Sequence, residues 1–389
     1  MIMRYNKCIL MASLVMVFLI SNVSAFSVSS LIYNDFDDDI DINTEESSTT
    51  LIKVAVYNSP IFKSPKLINK ALDDYNWSVN ETTYRFKAIF ISDKEILGIG
   101  KNSLNNENFD LLIIGAESRQ FLINERLLLS HDRSYLNLSS RKWTQNIRDF
   151  VANGGGYIGI CGGANIASQG MPVYPDRASI LDILSLRVEH LGIANIYVNN
   201  QQWEEWQYAW KIAVGKEGTH LGVPINISVD DSHTIYSDFA EGQRNILWFA
   251  GPGMFDANVQ DEKLGEVIPL SYYLEEPMDK APLHMWRLTF KGYKPFYDIQ
   301  TDIKGQYASI ATVYNNSGRV VLFGPHPEYA PFEGGNFNEF RCFFKFGVSD
   351  RYVYNWSEVN HLPDDYNWWI LQRCTAWVAQ LPDKNLPPS

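Results

Sequence analysis

Residues 157–164 read Tyr-Ile-Gly-Ile-Cys-Gly-Gly-Ala, which sets one cysteine among closely spaced glycines after a short apolar run. The apolar run predicts a buried strand, and the glycines allow the chain to turn sharply into a helix. At the apex of such an elbow the backbone is strained and the side chain is exposed. The free N–H groups at the start of the helix also favour a thiolate over a thiol. We therefore predict that Cys161 is a nucleophile, and the alternative is an elbow retained in a binding protein.

A second stretch, far along the chain, supplies partners for a nucleophile. Residues 318–328 read Gly-Arg-Val-Val-Leu-Phe-Gly-Pro-His-Pro-Glu, which is typical of a buried strand that runs into a loop. The loop carries a histidine and, two residues later, a carboxylate. We predict that His326 is a general base and that Glu328 orients it. The alternative is a polar loop that only stabilises the end of a core strand.

Predicted strands and helices alternate between residues 51 and 164. We predict strands at 51–56, 85–91, 111–114 and 157–160, and helices at 64–74 and 141–152. This order indicates an α/β fold with a mostly parallel sheet and helices on both faces. Ligands of such sheets bind at the carboxyl ends of the strands, where Gly115 and Cys161 are expected to lie.

The rest of the chain departs from this alternation. An aromatic-rich insert is predicted at about residues 172–282, where short strand-like runs occur without regular helices. Strands at 307–314 and 319–323 follow, joined by Asn-Asn-Ser-Gly, which is a strong hairpin signal. A last amphipathic helix is predicted at 368–380.

Composition excludes several classes of function. The 389 residues are 46% hydrophobic, which is enough for a large buried core. The net charge of −12 argues against binding to nucleic acid or to an anionic membrane, since both need clustered Lys and Arg. The histidines outside the 318–328 stretch show no paired spacing typical of metal ligands, so we expect neither a metal nor a cofactor.

The N-terminus has the pattern of an export signal. Arg4 and Lys7 precede an apolar stretch at 8–20, and Val-Ser-Ala at 23–25 fits the small-residue rule for cleavage. We expect a signal peptide at 1–25 and a secreted or extracytoplasmic protein, with membrane anchoring only if the signal stays uncleaved. The acidic stretch at 26–50 is expected to be a disordered spacer.

Glycosylation sequons agree with export, and two of the cysteines allow a disulfide. Cleavage would leave Cys161, Cys342 and Cys374, and the last two could form a disulfide in an oxidising compartment. Asn-X-Ser/Thr sequons occur at Asn76, Asn80, Asn137, Asn226, Asn315 and Asn355.

The elbow and the 318–328 stretch together resemble the class I glutamine amidotransferase fold, a flavodoxin-like α/β architecture. The longer strings at 150–161 and 318–328 are most similar to one branch, the biotin-protein ligase N-terminal domain family, which is often found as stand-alone secreted prokaryotic proteins. The resemblance covers roughly residues 51–381, and we expect one amidotransferase-like domain at 51–385. The motifs lie in the order that the family shows.

The resemblance implies a set of site residues. Cys161 corresponds to the nucleophile, His326 to the base and Glu328 to the carboxylate that orients it. The backbone N–H of Gly162 corresponds to one oxyanion donor, and Gly115 aligns with the glycine of the second.

Two departures from the family pattern bear on this site. Where the family has Pro-Gly-Gly, residues 114–116 read Ile-Gly-Ala. The motif that supplies the second oxyanion donor is therefore only partly matched. The separation between Cys161 and His326 is also longer than amidotransferases usually show, as expected if the aromatic-rich insert covers or reshapes the pocket.

The implied function is hydrolysis of a small amide or peptide through a thioester acyl-enzyme. Ligation is not expected, because no biotin ligase domain is found in the chain, and ammonia transfer is not expected without a synthase domain. The alternative is a non-catalytic ligand-binding or cell-surface protein that keeps the fold.

The acidic stretch yields a first prediction. Deleting residues up to Glu46 should leave the melting temperature of the purified protein nearly unchanged, because a segment of this composition cannot bury a core. Thermal denaturation followed by circular dichroism would measure this. A large drop would mean that the segment docks on the domain.

Overall fold

The described part of the chain covers most of the predicted domain. In this computed structural model the described residues are 48–58, 64–116, 133–170, 190–199, 222–282, 284–290, 292–298, 301–342 and 351–389. The predicted signal peptide and residues 26–47 of the predicted spacer lie outside them. Ser48 to Thr50, which the sequence assigned to the spacer, are instead the first residues of a strand.

Eighteen strands are present in the described residues. In chain order they are β1 Ser48–Tyr57, β2 Asn76–Val79, β3 Thr82–Ile91, β4 Leu111–Ile114, β5 Gly156–Ile160, β6 Ile196–Asn199, β7 Val223–Ser228, β8 Gln243–Trp248, β9 Gly253–Asp256, β10 Ile268–Tyr272, β11 His284–Thr289, β12 Gly292–Asp298, β13 Tyr307–Tyr314, β14 Gly318–Phe323, β15 Phe332–Glu333, β16 Asn336–Cys342, β17 Arg351–Ser357 and β18 Asn360–His361.

The helices of the described residues are fewer. They are α1 Ser64–Leu72, α2 Asp93–Ile96, α3 Arg133–Ala152, α4 Gly162–Ala167, α5 Pro277–Lys280 and α6 Trp368–Val378, followed by a short 3-10 helix at Asp383–Asn385. In this part of the chain, none of them is both long enough and apolar enough to cross a membrane.

The central sheet has ten strands in the order β2-β3-β1-β4-β5-β14-β13-β9-β6, with β10 also paired to β13. Five neighbouring strands, β3, β1, β4, β5 and β14, are parallel. Numbered along the chain, these five stand in the order 2-1-3-4-5, which is the flavodoxin-like order. The predicted α/β class with a parallel sheet is confirmed, and antiparallel strands extend the sheet on both sides.

Helices cover both faces of the parallel strands. On one face, α1 and α6 pack on apolar side chains such as Val54 and Ile158. On the other face, α3 and α4 pack on side chains such as Leu112 and Tyr157. Every residue of β4 and β5 is buried, which explains why these strands read as continuous apolar runs. The predicted arrangement of helices on both faces is therefore confirmed.

The predicted aromatic-rich insert contributes strands to the central sheet. β6, β9 and β10 all lie between residues 172 and 282, and they extend the sheet in antiparallel fashion beyond β13. β7 and β8 form a separate two-stranded sheet. Strand-like runs at 225–229 and 246–250 predicted β7 and β8, but patterning did not predict β6, β9 and β10, because strands of four or five residues with mixed burial lack a distinct apolar run.

Cys374 lies on α6, where it is fully buried and forms no disulfide. The pairing with Cys342 that the sequence left open is therefore absent. The thiol instead fills space in the apolar core, where burial raises its pKa.

Arg373, also on α6, anchors two segments of chain. Its buried guanidinium donates hydrogen bonds to the carbonyl oxygens of Ile235 and Thr234 at 2.6 Å and of Pro387 at 2.5 Å. Burial lowers the pKa of the guanidinium. Since arginine spreads its donors in a rigid fork, one side chain satisfies carbonyls of both segments.

Replacing this arginine should destabilise the protein strongly. Arg373→Met leaves the three carbonyl oxygens without their donor, and we expect a loss of about 3 kcal/mol in the free energy of unfolding. The exposed pair of Lys70 and Asp364 provides the control, because Lys70→Met should cost less than about 1 kcal/mol. Urea denaturation would measure both, and equal losses would contradict an anchoring role for Arg373.

Candidate active site

The predicted site residues follow the carboxyl ends of parallel strands. Cys161 comes directly after β5, Gly115 after β4 and His326 three residues after β14. The segments touch one another: the amide of Cys161 donates to Phe323 O at 2.8 Å, and that of Gly163 donates to Gly115 O at 3.1 Å. The edge of the sheet thus brings distant parts of the sequence together.

Cys161 occupies the strained apex of the elbow. Its backbone has φ +53° and ψ −103°, in the half of the Ramachandran map that non-glycine residues rarely adopt. The helix that follows is pressed closely against β4. A Cβ atom on Gly163 would lie 2.0 Å from Ile114 O, so only glycine permits this approach. The predicted strand–turn–helix is therefore present, with the part-buried Cys161 at its apex.

His326 and Glu328 form a buried pair. The His326 Nδ1 atom lies 2.9 Å from Glu328 Oε1, and both side chains are fully buried. The backbone of His326 is also fixed, since its N–H donates to Leu247 O at 2.8 Å. The contact through Nδ1 leaves Nε2 as the nitrogen available for proton transfer.

The electrostatics of the pair keep His326 protonated. Burial alone would lower the pKa of His326, but the Glu328 carboxylate and the nearby Cys161 thiol raise it from 6.5 to about 10. An imidazolium at neutral pH is therefore expected. Because its pKa is raised on folding, this group stabilises the fold fully below pH 6.5, and the contribution disappears as the pH rises through about 10.

Cys161 lies close enough to the His326 ring to influence its proton, although no hydrogen bond of standard geometry joins them. His326 Nε2 is buried and has no hydrogen-bond partner among the described residues. The Cys161 thiol donates to Phe249 O at 3.8 Å. The thiolate, not the thiol, is the reactive form of a cysteine.

The two predicted oxyanion positions differ in their surroundings. Gly162 is buried and begins α4 directly after Cys161. Gly115 follows β4, and its neighbour Ala116 donates its N–H to Ser64 Oγ at 3.2 Å. The amide of Ala116, which stands where the family has its second glycine, is thus already engaged.

Ser64, the first residue of α1, was not predicted from the sequence. Its buried hydroxyl donates to Glu328 Oε1 at 2.6 Å. A single serine in a helical pattern carries no local signal of such a contact. Only its place after the first parallel strand, at the same sheet edge as Gly115 and Cys161, could have suggested it.

Two other histidines have structural contacts. His190 Nδ1 lies 3.0 Å from Asn165 O, and His233 Nδ1 accepts from the N–H of Ile235 at 3.2 Å. Over the described ranges, no group of three His, Cys, Asp or Glu side chains is arranged to hold a metal ion. His220 lies outside these ranges.

The sequence match to one known family covers the elbow and the 318–328 stretch, whereas Gly115 and Ser64 lie before the matched span. Residues 130–340 match the family described as biotin-protein ligase, N terminal, and this span is more than half of the chain. The chain belongs to this family. Cys161, His326 and Glu328 all fall within the matched span. The strand order and membership of the biotin-protein ligase N-terminal family agree with the predicted glutamine amidotransferase-like fold.

Several solved structures are distantly similar to this member of the family. A GMP synthase-like protein from Thermoplasma acidophilum has 10% identity, with 71% of this chain and 84% of that chain covered and a TM-score of 0.33. A ThuA-like protein from Parabacteroides merdae has 9% identity, coverage of 85% and 90%, and a TM-score of 0.34. A carbohydrate deacetylase has 8% identity, coverage of 73% and 30%, and a TM-score of 0.30. No curated protein matches the chain.

The contact between sulfur and imidazolium predicts selective alkylation. Iodoacetamide near neutral pH should modify Cys161, whereas the fully buried Cys374 should not react in the native protein. His326→Ala should lower the rate at pH 7, because it removes the cationic ring beside the Cys161 sulfur. Mass spectrometry of tryptic peptides would measure each site.

His233→Ala is the matched control, because it removes a half-buried histidine that contacts Ile235 instead of the site. Alkylation of Cys342 or Cys374 as fast as that of Cys161 would remove the main support for a reactive elbow.

Proposed function

We propose that this protein is a cysteine-dependent hydrolase that acts on a small amide or peptide. The observation that carries the proposal is the buried hydrogen bond between His326 and Glu328, placed beside a cysteine on a strained elbow. A structural loop has no need for a buried imidazolium with a free Nε2. A general acid for a departing amine needs both features.

The proposed reaction begins with attack on the carbonyl carbon. The Cys161 thiolate forms a carbon–sulfur bond, and the carbonyl π electrons move onto oxygen, where the N–H of Gly162 stabilises the negative charge. His326 then donates its Nε2 proton to the leaving nitrogen as the carbon–nitrogen bond breaks. The products of this half-reaction are a free amine and a thioester on Cys161.

Water completes the proposed cycle. The neutral His326 takes a proton from water while the water oxygen attacks the thioester carbon. The carbon–sulfur bond then breaks, which releases the carboxylic acid and restores the thiolate and imidazolium. Glu328 keeps its contact with Nδ1 throughout, so it holds the ring in one orientation and stabilises its charged form.

We also propose that the protein acts outside the cytoplasm, as the signal-like residues 1–25 suggest. Such a location would separate it from ATP and from any synthase that receives ammonia. Hydrolysis, which needs only water as its co-substrate, suits that setting.

One observation favours a second candidate function. The amide of Ala116, next to the aligned Gly115, donates to Ser64 Oγ, so in this conformation it cannot assist Gly115 as an oxyanion donor. A non-catalytic ligand-binding or cell-surface protein would tolerate this arrangement.

The hydrolase proposal predicts a graded response to substitution. Screening of amide, ester and peptide libraries should reveal hydrolysis that disappears in Cys161→Ala and in His326→Ala. Glu328→Gln should retain part of the activity, because an orienting group contributes less than the attacking pair. Circular dichroism should show that all three variants fold.

Persistent hydrolysis in Cys161→Ala would assign the chemistry to other residues. A wild-type protein that alkylates at Cys161 but hydrolyses nothing in these libraries would favour the binding function.

A further inference from the structure

We propose that Ser64 is a positioning residue of this site, whose hydroxyl holds the Glu328 carboxylate against the His326 ring. The inference rests on the proposed function for its catalytic meaning, but its structural part can be tested without a substrate.

The contacts of Ser64 join three segments of the chain. Its hydroxyl donates to Glu328 Oε1 at 2.6 Å and accepts from the N–H of Ala116 at 3.2 Å. Donor and acceptor capacity of the hydroxyl are thus both used. The first helix, the end of β4 and the loop after β14 are held together at one oxygen atom.

The carboxylate depends on few partners. Glu328 Oε1 accepts from both Ser64 and His326, whereas Oε2 is buried without a hydrogen-bond partner among the described residues. Without the serine hydroxyl, the described part of the chain leaves His326 as the one side chain bonded to this carboxylate. A buried carboxylate that loses one of its two donors is held less firmly in its orientation against the ring.

The Ser64 hydroxyl is closely packed against the backbone of Gly115. Ser64 is fully buried, and a Cβ atom on Gly115 would lie 2.4 Å from Ser64 Oγ. The hydroxyl therefore occupies the space that a side chain at position 115 would need. This also gives a physical reason for glycine at a position that the family uses for its oxyanion hole.

Other groups surround the imidazole as well. The aromatic ring of Tyr329 lies 5.3 Å from that of His326 edge-on, and the ring of Phe249 lies 6.2 Å away. Cys161 and Glu328 are the titratable groups that raise the pKa of His326. Ser64 is uncharged, so its influence on the ring must pass through the orientation of Glu328.

A double-mutant cycle on the alkylation rate of Cys161 tests this route. Ser64→Ala should slow iodoacetamide modification at pH 7 about fivefold, as expected for the loss of one hydrogen bond. In the Glu328→Gln background the same change should alter the rate less than about twofold, because the partner through which it acts is already altered.

Two variants that are isosteric with each other separate the effect of the hydroxyl at position 64 from the effect of packing. Ser64→Thr and Ser64→Val add similar bulk, but only threonine keeps a hydroxyl. The threonine variant should therefore react several-fold faster than the valine variant, even if both are less stable than wild type. Ser271→Ala removes a buried hydroxyl that pairs with Ser309 instead of the site, and it should leave the alkylation rate unchanged.

The outcomes distinguish this inference from the proposed function. Equal slowing by Ser64→Ala in both backgrounds, or equal rates for the threonine and valine variants, would overturn the positioning role. If Ser64→Ala slows alkylation in the wild type but not in the Glu328→Gln background, and the protein hydrolyses nothing, the result would support the positioning role and contradict only the hydrolase proposal.

Discussion

Parallel pairing of β5 with β4 on one side and β14 on the other is the constraint on which the site depends. The register sets Gly159 opposite Ile114 and Ile160 opposite Phe323, so the three strands end almost level. Their following residues must then meet at one edge. Because side chains alternate between faces, a slip of one residue would exchange the side chains packed under α1 and α6 with those packed under α3 and α4, so the packing of both helix layers disfavours it.

Local sequence patterns predict the parallel part of the fold well. β4 consists of four apolar residues and is buried throughout, and the hairpin between β13 and β14 has Asn315 and Asn316 at φ +52° and +54°, as its turn signal predicts. The antiparallel strands β6 and β9 could not be predicted in this way. Their place depends on pairing with each other and with β13, and no property of four residues records a partner so distant in sequence.

The candidate site likewise contains some residues that the sequence predicts and others that it does not. Cys161 and the pair of His326 and Glu328 stand in short motifs whose chemistry can be read along the chain. Ser64 does not, because its contact with Glu328 spans 264 residues and its importance comes from burial. The hydrogen bond from the Ala116 N–H to Ser64 could not be predicted either, since the sequence shows only that alanine replaces glycine and not where its N–H points.

The C-terminal residues of the chain pack beside α1, β2 and β3 at one face of the sheet. Trp77 Nε1 donates to Asn385 O at 2.9 Å, Asn385 Nδ2 donates to Tyr84 Oη at 2.7 Å, and Gln372 Nε2 donates to Ala71 O at 2.9 Å. During synthesis, the part of this apolar face that α6 and the C-terminal residues cover therefore stays exposed until about 300 further residues have been added. Contacts so distant in sequence form slowly, and incomplete chains would expose aggregation-prone surface. Packing of this face is therefore complete only after α6 has been synthesised.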